Sequence, residues 1–419
     1  MNAKNFVNFH VLISHSPSCL NRDDMNMQKT AIFGGKTRVR ISSQSLKRAM
    51  RKSDYYAAHF GFPSIRTREL EKLIPHYVEA LKNEFVPDIV AKTMELFVRA
   101  KVLGEEADDS EPDESTEPAQ TKKLAVAPWV LAEIRTLCKI VGDIVLNDDE
   151  LVKSKDLFIK QKGKKKRPEL NFIDAALTKK RMKAIEENIS SLRQAIGTAL
   201  DIALSGRMAT SGLMTSVDGA LAVAHALTTH AVEPQDVDWF TAVDDLSQDE
   251  GGTGAGHLNT QQFSAGVFYR YASLNLRQLQ VNLGLIEMMT SEETSESRQR
   301  ALNVARHVLH MMATVIPTAK QQSFAAHNMA ELALVSFGDQ PISLANTFEK
   351  PVRIEPSGGY LAPSQQALVD YWQRMNMAYE LDESAAIFHL GGSQIPSELT
   401  LLETLPKLEK WVESGGAGV

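Results

Sequence analysis

The hydrophobic pattern of this 419-residue chain changes its period several times. Residues 6–13 and 263–276 alternate apolar with polar side chains, which is typical of β-strands. Six other segments favour helices: 55–101, 129–145, 174–204, 297–315, 363–380 and 399–413. Because strands are separated by helices and hairpins join some of the strands, the pattern favours an α+β fold over a doubly wound parallel sheet.

Details of the pattern make local predictions. Four apolar residues share one face of the first segment, which predicts a strand with one buried side: Val7, Phe9, Val11 and Ile13. Pro17 predicts that this strand ends before it. Gly206 is expected to end the helical segment that precedes it. A glycine-rich tip at 247–256 predicts a hairpin whose return strand is 263–276.

Composition excludes several classes of protein. The chain is 43% hydrophobic and 23% charged, as soluble globular proteins are. Its two cysteines, Cys19 and Cys138, are too few for a disulfide framework or a cysteine-type zinc site. No segment approaches 18 uninterrupted apolar residues, and no small-residue cleavage site follows the first strand. We therefore expect a cytoplasmic protein with no membrane span.

Charge is unevenly distributed along the chain. The formal net charge is −6, but residues 105–117 hold many acids and no base, so the rest of the chain is mildly basic. Almost no apolar residue lies in 105–117, which predicts a loop or disordered segment. A second biased segment, 153–167, is rich in lysine. Gly163 and Pro168 interrupt it, so it is predicted to be a basic loop and not a helix.

A third biased segment is the cationic block 25–53, which has no acid. It contains eight bases: Lys29, Lys36, Arg38, Arg40, Lys47, Arg48, Arg51 and Lys52. A cationic block on an acidic protein indicates a polyanionic partner, and a nucleic-acid backbone is the commonest one.

A helix is expected within this block, capped by Ser42 or Ser43. One of its faces carries an amide and two cations: Gln44, Lys47 and Arg51. Another face carries apolar side chains that would pack on a core: Leu46, Ala49 and Met50. Such a helix suits phosphates along a strand, but its spacing is equally typical of a solvated basic helix.

Several segments of the chain resemble one family. They are SHSPSCLNRDDMNMQK, FGGKTRVRISSQSLKRAMRKS, DIALSGRMATSG at 201–212, DGALAVAHALTTH at 218–230, DWFTAVDDL at 238–246 and FSAGVFYRYASLNL at 263–276. They are similar to the CasC family, the backbone subunit of type I-E CRISPR surveillance complexes (Cascade). The resemblance covers most of 1–60 and 196–350 and, more loosely, the C-terminus, and the segments 105–117 and 153–167 depart from it.

The resemblance implies a fold with three parts. An RRM-like (ferredoxin-like) palm would comprise 1–57, 196–240 and 262–419. A helical fingers domain, 58–195, would be inserted into the palm and would carry the acidic loop 105–117 and the basic loop 153–167. A β-hairpin thumb would occupy 241–261.

The resemblance also implies a function. The chain would be a non-catalytic subunit that polymerises head-to-tail along guide RNA (crRNA) and presents it to target DNA in antiviral defence. Its other partners would be the small subunit, the subunits that hold the two guide ends, and the large subunit that recognises the target-flanking motif. No cofactor and no membrane partner are expected.

Candidate contact residues follow from both lines of reasoning. In and beside the cationic block, the predicted RNA contacts are Arg22, Lys29, Ser42, Gln44, Lys47, Arg48 and Arg51. Arg207 is a candidate phosphate ligand. From the resemblance, Met208 and Thr260 would pack around a displaced base, and Lys320 and Gln321 would contact the guide; Met208 is otherwise more typical of a core. The predicted DNA contacts are Lys162, Lys164, Lys165, Lys166 and Arg167.

One alternative function is a metal-dependent endoribonuclease. Asp23 and Asp24 are adjacent acids near the predicted RNA site, and paired carboxylates can hold a metal for strand cleavage. They can also pair with Arg22 or neighbouring bases, or cap a turn. A second alternative, an ordinary metabolic enzyme, is disfavoured because the chain has no recognisable cofactor motif or catalytic triad.

Overall fold

The computed structural model describes residues 4–67, 70–103, 127–160, 169–197, 199–208, 216–240, 258–391 and 394–417. The chain divides into two compact units. One, here called the sheet unit, comprises Met1–Gly61, Ala220–Gln280 and Met289–Val419. The other, the helical unit, comprises Phe62–Gly219 and Val281–Met288. The palm, fingers and thumb stay predictions.

The strands of the described chain are β1 Phe6–Ser18, β2 Thr30–Phe33, β3 Lys36–Ile41, β4 Ile65–Thr67, β5 Ala127–Trp129, β6 Leu221–Val223, β7 Ala226–Thr228, β8 Gln235–Phe240, β9 Leu258–Asn275, β10 Leu332–Gly338, β11 Ser384–His389 and β12 Thr400–Leu401. Ten of them form one sheet, ordered β12-β11-β10-β1-β9-β7-β3-β2, with β6 and β8 also paired to β9. All its pairs are antiparallel except β11 with β12.

The helices of the described chain are α1 Ser43–Lys52, α2 Asp54–Phe60, α3 Leu70–Leu81, α4 Pro87–Leu103, α5 Leu131–Gly142, α6 Asp148–Lys160, α7 Glu169–Glu187, α8 Ile189–Gly197, α9 Leu200–Ser205, α10 Leu276–Asn282, α11 Ser295–Thr314, α12 Gln321–Phe324, α13 Leu361–Tyr379 and α14 Leu405–Glu413. A large, mostly antiparallel sheet with many helices confirms the α+β class. None of the described helices is both long and apolar enough to cross a membrane.

Strand β1 lies at the centre of the sheet, between β9 and β10. Both of its faces are buried, since His10 and Leu12 are as inaccessible as Phe9 and Val11. The prediction of a single buried side is therefore wrong, because helices α11 and α13 both pack on β1. The strand also continues past Pro17, whose missing N–H falls where the pairing with β9 becomes irregular.

The helical unit is built around a compact apolar core. Its buried residues include Tyr77, Leu81, Met94, Leu137 and Ile185, contributed by α3, α4, α5 and α7. The helical segment 55–101 is interrupted by β4, which pairs with β5. The segment 174–204 is divided among α7, α8 and α9. Gly206 ends α9 as predicted, with φ of +76° and its N–H bonded to the carbonyl of Ile202.

The prediction of a basic loop is wrong for its first half. Residues 153–160 belong to α6, and 161–168 lie outside the described residues. This helix begins with a reciprocal cap, because Asn147 accepts the N–H of Glu150 and Glu150 accepts the N–H of Asn147. Three acids in the first turn further stabilise the start: Asp148, Asp149 and Glu150.

Two predicted loops also lie outside the described residues, namely the acidic segment 105–117 and the glycine-rich tip 247–256. The strands that flank the tip are described. Strands β8 and β9 pair antiparallel, with Phe240 opposite Leu258, and β9 contains the predicted return strand. Near the C-terminus, α14 starts only at Leu405, because Thr400–Leu401 is the short strand β12.

Candidate nucleic-acid interface

Helix α1 begins in a network of caps. The Ser42 hydroxyl accepts the N–H of Ser45 at 3.3 Å, which confirms Ser42 as the capping residue. The backbone N–H of Ser42 donates in turn to Asn21 Oδ1 at 2.8 Å. Leu46 and Met50 are buried, as their predicted face requires, and fix the side of the helix that packs on the sheet unit.

The remaining face of α1 carries one amide and three cations: Gln44, Lys47, Arg48 and Arg51. We call these four residues the cationic face. Gln44 and Arg48 are exposed, whereas Lys47 and Arg51 are half-buried. The Lys47 ammonium donates to the carbonyl of Leu221 at 3.2 Å, which orients this side chain along the surface between α1 and β6.

The cationic block does not act as one surface. Arg38 lies in β3 but is fully buried, and it donates to the carbonyls of Thr228, Phe348 and Glu349 at 3.0, 2.9 and 3.2 Å. Arg40 donates its Nε to the carbonyl of Thr30. Some bases of the cationic block therefore lie in the interior and others lie on the surface.

The segment after β1 is a tight turn organised by Asp23. Its Oδ1 accepts the backbone N–H groups of Met25 and Met27, each at 2.9 Å. The guanidinium of Arg22 donates to Asn26 Oδ1 at 2.9 Å, and Asn26 has a φ of +63°. Asp23 thus caps a turn, which is one of the two structural alternatives expected for it.

No group of three or more histidine, cysteine or acidic residues suited to a metal ion is found in the described part of the chain. Asp24 is exposed in the same turn as Asp23. The backbone N–H of Lys29 donates to the carbonyl of Asn21, which closes the turn next to α1.

Arg22 and Lys320 are distant in sequence, yet both lie close enough to Cys19 to affect its thiol. Both act on the buried thiol of Cys19: burial raises its pKa, and the positive charges of Arg22 and Lys320 partly oppose that rise. Lys320 adopts a left-handed φ of +56° at the start of α12. The amide of Gln321 donates to the carbonyls of Pro317 and Ala326 at 3.1 and 3.5 Å.

Arg207 has a different environment. Its side chain is fully buried, and its two terminal nitrogens donate to the two carboxylate oxygens of Glu133 at 2.8 and 3.0 Å. A bidentate pair of this kind uses the planar fork of the guanidinium. This geometry does not favour the predicted phosphate contact, and we assign Arg207 the role of anchoring its turn to α5.

The turn that Arg207 anchors presents Met208 to solvent. Arg207 and Val217 form a two-way backbone bridge. Gly206 and Gly219 pack so closely that a Cβ on Gly206 would lie 2.8 Å from the nitrogen of Gly219. Met208 follows with 90% of its surface exposed, so it is not a core residue.

The remaining predicted contacts are only partly described. Thr260 is exposed in β9, opposite Asp238 of β8. The predicted DNA contacts lie outside the described residues: Lys162, Lys164, Lys165, Lys166 and Arg167.

Comparison with known proteins assigns the chain to a family. The sequence profile described as CT1975-like protein matches residues 7–413. The chain belongs to the CT1975-like family. No curated protein sequence matches it significantly.

Two solved structures are similar to this CT1975-like chain. One similar structure is a chain of a "CRISPR RNA-guided surveillance complex, pre-nicking", with a TM-score of 0.67 and 26% identity over 98% of this chain and 100% of that one. A chain of another "CRISPR RNA-guided surveillance complex" has a TM-score of 0.53 and 22% identity, covering 98% of both chains. The second likeness concerns the fold alone.

One residue of this surface was missed by sequence reasoning. His225 follows β6 and contacts the first residue of α1: its Nδ1 accepts the backbone N–H of Ser43 at 3.2 Å. The Arg40 guanidinium lies 3.4 Å from the same nitrogen. Nothing in the spacing of the sequence links His225 to α1, because the sheet brings β7 and β3 together.

Proposed function

We propose that this CT1975-like protein is the guide-RNA-binding backbone subunit of a CRISPR Cascade complex of type I-E. The observation that carries the proposal is the cationic face of α1, held by a capped helix start and a buried apolar side. Its support is the likeness of this chain, over 98% of its length and at 26% identity, to a chain of a CRISPR RNA-guided surveillance complex.

The cationic face binds the RNA backbone in this proposal. Arg48 and Arg51 supply charge, Lys47 supplies a positioned ammonium, and Gln44 supplies a neutral amide. Arg22, Lys29, Lys320 and Gln321 extend the contact past the start of the helix. Ser42 acts by shaping that start, since its hydroxyl already accepts the N–H of Ser45.

Met208 and Thr260 act on the shape of the strand. An exposed apolar side chain such as Met208 can replace the stacking that a base loses when it is turned out. In the proposed assembly this displaced base does not pair with the target. Specificity comes from the base pairing of the other guide positions, while the protein holds phosphates.

Copies of the chain are proposed to polymerise head-to-tail along one guide. A heterologous contact that does not close generates a helical filament, and the length of the RNA limits it. In this assembly the palm is RRM-like, the fingers are helical, and the thumb hairpin reaches the neighbouring copy. The small subunit, the guide-end subunits, the large subunit and the DNA target complete the complex.

The lysine-rich segment at 162–167 is proposed to attract target DNA without reading its sequence. A dense run of like charges repels itself and gains most when it meets a polyanion. Its effect would be on the rate of DNA arrival and would decrease as salt increases.

Catalysis is not part of the proposed role. Asp23 already accepts two backbone N–H groups, and that capping gives it a structural purpose. Binding and presentation of the guide need no reaction by this chain.

The test is to recover the chain from cells that also express its guide locus and to sequence the nucleic acid it retains. We expect RNA of uniform length that contains guide sequence. Recovery of the chain with DNA alone, or with no nucleic acid, would contradict the proposal. A matched preparation of the Lys47→Ala, Arg51→Ala variant should retain much less RNA.

A further inference from the structure

His225 lies on the surface beside the cationic face. It follows β6, is exposed, and directs its Nδ1 at the start of α1. Two donors converge on that nitrogen: the backbone N–H of Ser43 at 3.2 Å and the guanidinium of Arg40 at 3.4 Å.

These contacts define the state of the imidazole ring. A backbone N–H and a guanidinium N–H can only donate, so Nδ1 must present its lone pair to them. In a neutral imidazole the proton is then on Nε2. The residue is exposed and its Nδ1 edge faces Ser43 and Arg40, so Nε2–H points away from these two donors.

The surroundings of this N–H favour an oxyanion. Arg40 places a positive charge beside the ring, and the first turn of α1 adds the positive end of the helix dipole. Arg48 and the other members of the cationic face continue from the same turn. An N–H donor at this position extends the proposed phosphate-binding surface on the side of β6.

We propose that His225 is a further RNA contact, whose Nε2–H donates to a phosphate oxygen of the bound strand. This inference rests on the proposed guide-RNA function and adds to it a neutral contact. Its distinguishing property is that the donor carries no charge. A neutral donor releases no counterion when it meets a phosphate, so it adds affinity without changing the salt dependence of binding.

Two substitutions separate the nitrogens of the ring. In His225→Asn, the amide oxygen can still accept the N–H of Ser43, but no donor reaches the position of Nε2. In His225→Gln, the longer side chain places an amide N–H near that position and gives up the Nδ1 acceptor.

The experiment measures binding of each full-length variant to single-stranded RNA of guide length at several salt concentrations, alongside thermal unfolding. We expect His225→Asn to unfold like the unchanged protein and to bind RNA about 3- to 10-fold more weakly, as the loss of one hydrogen bond requires. The slope of log affinity against log salt should be unchanged. His225→Gln should bind RNA more tightly than His225→Asn.

Three results would overturn the assignment. First, His225→Asn could bind RNA as tightly as the unchanged protein. Second, its slope of log affinity against log salt could decrease by about 0.7, the value of one lost phosphate contact on a single strand. Third, His225→Gln could bind RNA more weakly than His225→Asn, which would show that His225 only caps α1. Lys47→Ala is the control for the function itself. If the unchanged protein does not bind RNA, or if Lys47→Ala binds RNA as tightly as the unchanged protein, the proposed function is rejected instead.

Discussion

The surface of α1 and the interior of the sheet both hold basic side chains, and they use them in opposite ways. On α1, Arg48 is exposed and Lys47 and Arg51 are half-buried. In the interior, Arg270 is 1% exposed and donates to the carbonyls of Met312 and Val315 at 3.2 and 2.8 Å.

The difference shows that the role of a basic side chain depends on the groups it contacts in the fold, and not on how many other bases lie near it in the sequence. Arg38 belongs to the cationic block 25–53, yet three carbonyl groups replace its water. Such an arginine maintains the fold, because removing it leaves carbonyls unpaired in a dry environment. An exposed arginine leaves nothing unpaired when it is removed, and its charge remains available to a ligand.

Among single substitutions, the largest effect should come from breaking the interior contact of Arg270. Arg270→Ala removes a buried guanidinium from two carbonyls and from His15, and it leaves a cavity between β9 and α11. We expect the free energy of unfolding to decrease by about 3 kcal/mol or more. Denaturant unfolding measures this change.

Arg48→Ala on α1 is the matched control, with an expected change of less than about 0.5 kcal/mol. Equal effects of the two substitutions would contradict the division between interior and surface.

A decrease in pH should also destabilise the folded state, because two histidines are buried in the sheet. Burial lowers the pKa of His10 and of His15 to about 3, and the charge of Arg270 acts in the same direction on His15. In the unfolded chain these rings bind a proton near pH 6.5. Below that pH the unfolded state therefore holds more protons, so stability decreases as pH falls from 6.5 toward 3.

From pH 7 to pH 5 we expect a loss on the order of 2 kcal/mol for each of these two histidines. Denaturant unfolding at the two pH values checks it. A stability that stays constant over this range would show that both rings take up protons in the folded state.

The surface contact is tested by the pair Lys47→Ala and Arg51→Ala. We expect the melting temperature to change little, because neither side chain belongs to the buried core. Guide RNA binding should weaken, and the slope of log affinity against log salt should decrease by about 0.7 to 1 for each lost phosphate contact. A filter-binding titration at several salt concentrations measures it. An unaltered slope would show that these bases face only solvent.

The smallest effect is expected at the turn acids. Asp24→Ala and Asp23→Ala should leave the rate of RNA degradation at background, because the proposed role involves no cleavage. Labelled RNA incubated with Mg²⁺ and each protein provides the measurement. Cleavage by the unchanged protein that either substitution abolishes would favour the endoribonuclease alternative.

Features that depend on neighbouring residues were predicted well from the sequence. Ser42 caps α1 and Gly206 ends α9, since a cap and a left-handed C-terminus need only residues within a turn. The strand pattern of β9 also follows from local periodicity.

Features that depend on distant partners were not predicted. The double burial of β1 requires both flanking strands and the helices that cover them. Arg207 was expected to face phosphate, because the sequence cannot show that Glu133 lies 2.8 Å away in α5. The contact of His225 with Ser43 likewise exists only because the sheet brings their segments together.

The central claim is that copies of this chain assemble along RNA by contacts to its backbone. The most direct measurement is the mass of the complexes formed on single-stranded RNAs of increasing length but unrelated sequence, determined by native mass spectrometry. The account predicts that mass increases in steps of one 46.3 kDa chain at regular increments of RNA length. A single copy on every RNA, or binding that follows sequence and not length, would contradict it.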